Sequence, residues 1–261
     1  VLSGASYSTD VSTKEYRSIM GKIDFNNPKS TTLLSDLIIY ATQPDEEALI
    51  MDFFSGSGTT AHAMFKANAE ENGNRRFIMV QLPEQTDVKN DAYKSGYKTI
   101  CDIGEERIRR AGKKIKEESP LTTTDLDIGF RVFKVDSTNM EDVYYRPADY
   151  NQGQMELFAD NIKPDRTPED LLFQVMLDLG ILLSSDIQET EIAGKKVFSV
   201  ADGYLIACFD KDVTEETVKA IAQKQPVYAV FRDSSMASDS VATNFEQIFE
   251  TYSPRTQRKV L

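Results

Sequence analysis

Apolar and polar positions follow two different periods along the first half of the chain, and the two periods separate helices from strands. A helical period predicts helices over residues 13–20 and 30–41, the second with a serine or threonine available as its N-cap. Short continuous apolar runs over 48–54 and 75–82 predict two strands that are buried on both faces. Between these runs, residues 59–72 have the alanine-rich composition of a helix.

The order of strand, glycine turn, helix and strand predicts a βαβ unit with two parallel strands. A long amphipathic helix is predicted over 99–118, with isoleucine and alanine along its apolar side. Its other side is predicted to carry the basic residues Arg107, Arg109, Arg110, Lys113, Lys114 and Lys116. The first half therefore predicts an α/β domain.

A change of pattern separates the second half of the chain from the first. Ser119-Pro120 and the three threonines that follow it are typical of a linker. Beyond the linker, alternating or apolar runs predict strands over 130–135, 195–200, 204–209 and 227–231. Capped periodic segments predict helices over 167–179, 214–223 and 240–252. Because Asp202-Gly203 is a hairpin signal, the second half favours an α+β domain over a parallel sheet.

These patterns divide the chain into three parts. Residues 1–24 form a polar N-terminal remnant or linker, residues 25–120 the α/β part, and residues 121–261 the α+β part. The chain begins with Val1 instead of methionine and has no signal-sequence pattern after it. We therefore expect a fragment of a longer protein, and a processed mature N-terminus is the alternative.

Composition narrows the function classes. Apolar residues make up 40% of the chain and charged residues 28%, which is typical of a globular protein. Two cysteines are too few for a disulfide scaffold, and one histidine excludes a site with several histidine ligands. The net charge of -12 argues against a nucleic-acid binder, but residues 1–120 carry 16 basic and 18 acidic side chains and are nearly neutral. The acidity therefore belongs to the second half.

The segment from Asp52 to Thr60 (DFFSGSGTT) has the chemistry of a ligand-binding turn. Its glycines permit positive φ and close backbone approach, and the helix that follows presents free N–H groups to an anion. The segment is neither a GxGxxG dinucleotide loop nor a phosphate-binding loop, because Gly58 is followed by threonine rather than lysine. A ligand with a carboxylate and an adenosine fits better than a nucleoside triphosphate. A glycine turn that only packs is the alternative.

Several segments resemble a known family. Residues 52–63 (DFFSGSGTTAHA) resemble the S-adenosylmethionine motif of the amino-methylating DNA methyltransferases. Residues 25–29 (FNNPK) resemble the segment before the cofactor loop in the permuted beta class, and residues 74–84 (NRRFIMVQLPE) resemble its second strand. Three further segments resemble the modification (Mod) subunit of type III restriction–modification systems: 106–115, 129–134 and 231–244.

The resemblance implies a cofactor, S-adenosylmethionine, and a set of residues around it. It implies a partial Rossmann-like methyltransferase sheet in residues 25–120 and an accessory α+β domain in residues 121–261. The residues implied on the loop side of the site are Asp52, Phe53, Phe54, Gly56, Ser57, Gly58, Thr59 and Thr60. Those implied on the opposite side are Phe25, Asn27, Pro28 and Lys29. The family usually has an acidic residue for the ribose hydroxyls where this sequence has Gln81, and Glu84 is the alternative carboxylate.

The resemblance also implies a catalytic motif that this sequence lacks. The family binds the flipped base with an Asp/Asn/Ser-Pro-Pro-Tyr/Phe tetrapeptide, and this chain contains no Pro-Pro dipeptide. In the permuted class this motif and the target-recognition region precede the cofactor loop, so we expect both upstream of Val1. No catalytic residue is assigned within the chain, and we expect the fragment alone to be inactive.

The implied parent protein is a cytoplasmic, site-specific methyltransferase that acts on adenine N6 in double-stranded DNA. The resemblance implies a restriction subunit and a second copy of the chain as further partners, and no membrane association. Two alternatives stay open: cytosine N4 as the target, and a non-catalytic cofactor-binding scaffold for subunit association. An unrelated nucleotide-dependent enzyme is disfavoured by the threonine after Gly58 and by the match at Pro28-Lys29.

Other reactive residues have structural interpretations. His62 either lies near the cofactor or is a helix residue with a satisfied hydrogen bond. Cys101 and Cys208 are predicted to be inert core residues. The basic face of the 99–118 helix either contacts DNA phosphates or is solvated, since glutamates flank it. No metal site is predicted.

Overall fold

The computed structural model describes residues 4–23, 25–43, 45, 47–141 and 161–261. The chain divides into two compact units, residues 1–130 and residues 131–261. Each unit has its own apolar core, and each is described by itself. Within the described residues, no helix is long and apolar enough to cross a membrane.

Helices make up most of unit 1. They are α1 (Thr9–Met20), α2 (Thr31–Thr42), α3 (Thr59–Glu71), α4 (Asp91–Lys94) and α5 (Ile100–Glu118), with a short 3-10 helix at Ala5–Tyr7. Side chains cap α1, α2 and α5. At the start of α5, Thr99 and Asp102 form a capping box, in which each side chain accepts a hydrogen bond from the other residue's backbone N–H. The caps of α2 and α5 account for the helix starts that the sequence predicts, whereas α1 begins at Thr9, four residues before its predicted start.

A two-stranded parallel sheet forms the centre of unit 1. Strand β1 (Leu49–Phe53) pairs with β2 (Arg76–Val80), and Met51 lies opposite Ile78 in the register. Helix α3 connects the two strands, so the predicted βαβ unit is confirmed. One sheet face contributes alternate side chains to the cluster that includes α2, α3 and α5: Ile50, Phe77 and Met79.

The prediction that these strands are buried on both faces is wrong. Leu49, Met51 and Phe53 on the other face are 55%, 59% and 62% exposed. Ile78 on β2 shares that face and is also exposed. No residue in the described part of unit 1 covers these side chains. The sheet therefore presents one bare apolar face.

Unit 2 is built on a mixed five-stranded sheet. Its strands are β3 (Ile187–Ile192), β4 (Lys195–Val200), β5 (Leu205–Cys208), β6 (Tyr228–Phe231) and β7 (Gln257–Val260), which lie side by side in that order. β3, β4 and β5 pair antiparallel, and β5, β6 and β7 pair parallel. The tight turn between β4 and β5 has positive φ at Ala201, Asp202 and Gly203, as the hairpin signal requires.

Helices cover both faces of this sheet. Helix α6 (Pro168–Asp178) packs on one face, where Leu172 and Met176 meet Phe198 and Val230. Helices α7 (Glu215–Ala222) and α8 (Asp239–Tyr252) pack on the other face, around Phe231 and Phe249. The parallel strand pairs are buried on both faces in this way. Unit 2 thus combines two consecutive hairpins, β3–β4 and β4–β5, with two strand–helix–strand connections.

Three details of unit 2 differ from the sequence prediction. Residues 130–135 alternate in polarity but form no strand, and they pair with neither sheet. β3 has only its end residues partly buried, so its alternation was too weak to detect. β7 lies in a basic, polar tail, and the sequence does not predict it because an edge strand need not be apolar.

Candidate functional site

The glycine-rich turn connects β1 to α3 through an unusual backbone path. Phe54, Gly56 and Gly58 all have positive φ, at 76°, 55° and 70°. The backbone N–H groups of Phe54 and Ser55 both donate to the carbonyl oxygen of Val80, which holds the turn against the end of β2. Positive φ is strained for a phenylalanine, and such strain occurs mainly at functional sites.

The start of α3 carries no side-chain cap. Gly58 is the N-cap residue and has no side chain that could accept from the first amides of the helix. Uncapped first-turn N–H groups and the positive end of the helix dipole together favour an anionic ligand. Because β1 is one of two parallel strands, this helix start lies at the carboxyl end of the sheet, where α/β folds bind ligands.

Two predicted site residues stabilise the turn itself. The backbone N–H of Gly56 donates to Oε1 of Gln81 over 2.7 Å. The Thr60 hydroxyl donates to Oδ2 of Asp52 over 2.5 Å. Gln81 therefore has a role that its place in the sequence did not indicate, since it satisfies a loop amide. Its contact with a ribose stays a prediction.

The segment before α2 approaches the turn from another side. A Cβ on Gly56 would lie 3.4 Å from the Phe25 ring, so this ring is next to the turn. Pro28 is buried, whereas Asn27 and Lys29 are exposed, and Asn27 has a φ of 51°. The structure thus brings Phe25 to the turn and leaves the side chains of Asn27 and Lys29 in solvent.

Exposed aromatic side chains lie beside the turn. Phe53 is 62% exposed and Phe54 is 65% exposed, and their rings pack edge to face with centroids 5.5 Å apart. Glu84 is exposed and lies beyond the end of β2. An aromatic surface next to uncapped amides can bind a ligand that has both an adenine ring and a carboxylate.

Helix α5 packs directly behind the turn. The sequence does not predict this contact. A Cβ on Gly58 would lie 3.1 Å from the carbonyl oxygen of Gly104 and 3.1 Å from the Ile108 side chain. A Cβ on Gly104 would in turn lie 3.1 Å from the carbonyl oxygen of Gly56. A Cβ at position 58 or 104 would force the two backbones apart by a few tenths of an ångström, so glycine at both positions favours this close approach.

Arg107 is buried, and its predicted place on the exposed basic side of α5 is wrong. Its side chain is fully buried, and Nη1 donates to the hydroxyls of Ser57 (2.8 Å) and Thr59 (2.6 Å). Nη2 donates to the Thr31 hydroxyl over 3.2 Å, and the guanidinium lies over the Tyr16 ring. Burial lowers the pKa of Arg107 to about 10, so the group stays charged at neutral pH. Its four-residue spacing from Ile103 and Ala111, both on the apolar stripe, was a signal that could have revealed this.

Four of the other five basic side chains predicted on the exposed side of α5 form ion pairs within the helix, and Lys116 is in none of the ion pairs among the described residues. Arg109 pairs with Glu105, Arg110 with Glu106, and Lys113 and Lys114 with Glu117 and Glu118. These are pairs at the i,i+4 spacing that a solvated helix face commonly carries. The solvated interpretation of this face is therefore favoured over a phosphate-binding one.

His62 is buried on α3, and its Nδ1 shares a hydrogen bond of 3.4 Å with the Thr31 hydroxyl. Burial, followed by the charges of Arg107, Lys66 and Lys114, lowers the pKa of His62 to about 3. The imidazole is therefore neutral at physiological pH, as the structural interpretation of this residue expects. In the described part of the chain, no group of His, Cys, Asp and Glu side chains could hold a metal ion.

The two cysteines have different environments. Cys208 is buried in the sheet of unit 2, and burial raises the pKa of its thiol to about 11, so it is inert as predicted. Cys101 is only half-buried, and its Sγ lies 3.6 Å from the carbonyl oxygen of Gln81. The prediction that Cys101 belongs to the core is wrong, because it lies at the first turn of α5 beside the end of β2.

Gly104→Ala should disturb the turn. The added methyl would press on the Gly56 carbonyl, and a small displacement of binding groups lowers affinity. S-adenosylmethionine, the cofactor that the resemblance implies, should therefore bind roughly threefold to tenfold more weakly. Gly112→Ala is the matched control, because its Cβ would meet Ile128 at 2.9 Å, away from the turn. The control should lower stability by about 1 kcal/mol or more and leave affinity within about twofold. Equal losses of affinity in both variants, measured by calorimetry, would contradict this.

His62→Gln should change how stability depends on pH. The pKa of His62 is about 3 in the folded protein and 6.5 in the unfolded chain, so the unfolded chain binds a proton first as the pH falls. Stability linked to His62 is complete above about pH 6.5 and is lost towards about pH 3. Between about pH 7.5 and about pH 5, the wild type should lose about 2 kcal/mol more than His62→Gln.

Urea denaturation at the two pH values, followed by hydrogen exchange of the α3 amides, measures this difference. Glu15, Glu70 and Glu118 line the same cleft as His62 and are present in both proteins, so their effects cancel in the comparison. Parallel pH profiles of the two proteins would rule out a neutral, buried imidazole.

Comparison with known proteins finds similarity to DNA-modifying enzymes. A family model described as DNA methylase matches residues 3–112. The Mod subunit of the type III restriction–modification enzyme EcoP15I from Escherichia coli is 34% identical over 246 residues, covering 90% of this chain and 34% of the relative. The EcoPI Mod subunit of Escherichia phage P1 is 32% identical over 221 residues, or 84% of this chain and 32% of that protein.

A type II enzyme is also similar. The methyltransferase M.KpnI from Klebsiella pneumoniae is 38% identical over 99 residues, which cover 38% of this chain and 23% of that protein. The chain spans about a third of the length of the type III relatives, whose similarity extends over both units. Residues 3–112 therefore match the DNA methylase family, and the chain resembles the Mod subunits of type III restriction–modification enzymes over most of its length.

Proposed function

We propose that this chain is the S-adenosylmethionine-binding part of a DNA methyltransferase of the type III modification kind, which methylates adenine at N6. The observation that carries the proposal is the turn from Phe54 to Gly58, which delivers the uncapped start of α3 to the carboxyl end of a parallel strand. Exposed Phe53 and Phe54 lie beside that helix start. The match of residues 3–112 to the DNA methylase family supports the same proposal.

The residues present fit this cofactor. The first N–H groups of α3 would receive its carboxylate, with Gly56, Ser57, Gly58, Thr59 and Thr60 forming the surrounding backbone. The rings of Phe25, Phe53 and Phe54 would contact its apolar and cationic parts, since a sulfonium is attracted to aromatic faces. Asp52, Asn27, Pro28 and Lys29 would border the site, and Gln81 or Glu84 would meet the ribose.

S-adenosylmethionine supplies an electrophilic methyl group when it is bound. The contribution of this chain to the reaction is positional, because it holds and orients the donor so that an exocyclic amine can attack in line. We assign no proton-transfer group within the chain. The base-binding Pro-Pro motif that the resemblance implies is absent from this sequence, so the amine must be positioned by residues outside it.

Adenine is the proposed target because the relatives that cover most of this chain are type III Mod subunits. Cytosine N4 is the alternative outcome, since the resemblance includes both amino-methylating reactions. We further propose that the protein acts on double-stranded DNA in the cytoplasm, and that unit 2 serves association with a restriction subunit or with a second copy. The strongly acidic second half suits a protein partner better than a DNA phosphate backbone.

The bare sheet face supports the view that this chain is part of a larger folded protein. A parallel sheet is normally covered on both faces, and a two-stranded sheet alone is marginally stable. Here Leu49, Met51, Phe53 and Ile78 form an exposed apolar surface, and the chain spans only about a third of its type III relatives. We propose that further polypeptide of the same protein completes the sheet and supplies the base-binding motif.

Methyl transfer from radiolabelled S-adenosylmethionine to duplex DNA tests the proposed function. The longer protein should produce N6-methyladenine, whereas this chain alone should bind the cofactor and transfer nothing. Gly56→Asp should abolish binding, because it places a negative charge where the cofactor carboxylate would lie. Gly56→Asn has the same size and tolerates positive φ, so it should weaken binding by less than about tenfold.

Other outcomes have distinct meanings. N4-methylcytosine as the product would move the target to cytosine. Binding without any methyl transfer by the longer protein would support the non-catalytic scaffold. No binding by either form of the protein would overturn the proposal.

Met51→Glu should change the stability of the longer protein much more than the stability of this chain alone. In the chain alone, Met51 is exposed, so the substitution should change stability by less than about 0.5 kcal/mol. In the longer protein it would bury a charge and should lower stability by about 2 kcal/mol or more. Leu121→Glu is the control, because Leu121 is 94% exposed and should be neutral in both. Thermal and urea denaturation measure the effect, and equal results for Met51→Glu in the two proteins would contradict completion of the sheet.

A further inference from the structure

Arg107 is a buried cation whose partners are all neutral. Its three hydrogen bonds go to the hydroxyls of Ser57, Thr59 and Thr31, and its Nε has no acceptor among the described residues. No carboxylate in the described part of the chain forms an ion pair with it. Burial lowers the pKa of Arg107 and the nearby Glu15 charge raises it, with burial the larger effect. The guanidinium stays charged at neutral pH and has no direct carboxylate partner inside unit 1.

Stability does not explain such an arrangement. Removing a guanidinium from water is costly, and hydrogen bonds to hydroxyls offset less of that cost than a carboxylate would. Apolar side chains of similar volume often replace buried charges without loss of stability. Arg75 shows the usual solution in the same unit, because this buried arginine pairs with Glu71 over 2.6 Å. Arg107 lacks such a partner and lies beneath the glycine turn.

The position of Arg107 places its charge close to the start of α3. Nη1 bridges Ser57 in the turn and Thr59 at the first position of α3, so the guanidinium lies behind the helix start. Because an arginine offers only donors, these two hydroxyl oxygens accept from it. No side chain caps the start of α3. The first amides of α3 therefore have no side-chain acceptor. The buried charge also adds to the positive end of the helix dipole.

We propose that Arg107 is the positioning residue for the carboxylate end of the cofactor: it rigidifies the turn and supplies the positive potential that attracts this carboxylate to the start of α3. The proposal rests on the proposed function. It predicts a specific pattern of ligand preference, because a group that only ties helices together would affect all ligands of the turn equally.

Two probes separate attraction of the carboxylate from general support of the site. S-adenosylhomocysteine has the carboxylate, 5′-methylthioadenosine lacks the whole amino-acid end, and both have an uncharged sulfur. Arg107→Met should weaken binding of S-adenosylhomocysteine about tenfold, which is the size expected for one partly screened charge pair. Binding of methylthioadenosine should change by less than about threefold. The ratio of the two affinities is the measured quantity.

Matched variants complete the experiment. Arg107→Lys keeps the charge and should keep the wild-type ratio, whereas Arg107→Gln keeps a donor without charge and should lose it. If Arg107→Met does not fold, the affinity ratios of Arg107→Gln and Arg107→Lys are compared instead. Arg75→Met removes the other buried arginine and should leave the ratio unchanged, whatever it does to stability.

The outcomes distinguish the inference from the proposed function. If the wild type binds neither probe, by itself or in the longer protein, the proposed function fails and the inference fails with it. The role of Arg107 is overturned if the wild type binds both probes while Arg107→Met weakens the binding of both by the same factor or weakens the binding of neither. In either case the proposed function stands.

Discussion

The close approach of α5 to the glycine turn is the constraint on which the rest of unit 1 depends. Gly58 and Gly104 have no side chains at the contact, and a Cβ on either would lie 3.1 Å from a carbonyl oxygen of the other segment. This approach lets Arg107, one turn further along α5, reach the hydroxyls of Ser57 and Thr59. Backbone packing and the hydrogen-bond network are therefore parts of one arrangement.

The electrostatics of unit 1 follow from that arrangement. Arg107 is charged and buried, and its field is one reason that the pKa of His62 is low. Thr31 contacts both groups, because its hydroxyl accepts from Arg107 and shares a hydrogen bond with His62. One cation and one neutral imidazole thus link the starts of α2 and α3 to the middle of α5. A buried cation thus lies behind a helix start that has no side-chain cap, and this arrangement favours an anionic group.

The two units differ in how many faces of their sheets are covered by helices. The sheet of unit 2 has helices on both faces, and its central strand β5 is entirely buried. The sheet of unit 1 has helices on one face only, and Met51 and Ile78 on the other are exposed. Parallel sheets are normally covered on both faces, and an exposed apolar face commonly marks a surface that another segment or protein covers. It agrees with a chain that spans about a third of its type III relatives.

The sequence by itself determined the elements and the chemistry that depend on neighbouring residues. Helix periods, Thr99 and Thr167 as caps, the Asp202-Gly203 turn and the glycine turn after β1 are local features, and each could be predicted. The tertiary structure decided what depends on distant residues. It buried Arg107 while leaving its neighbours on α5 in solvent, left β1 with one bare face, placed the Gln81 side chain on Gly56, and paired a polar tail with β6 as β7. Burial and pairing are set by segments far apart in the chain, whereas periodicity and capping are set within a few residues.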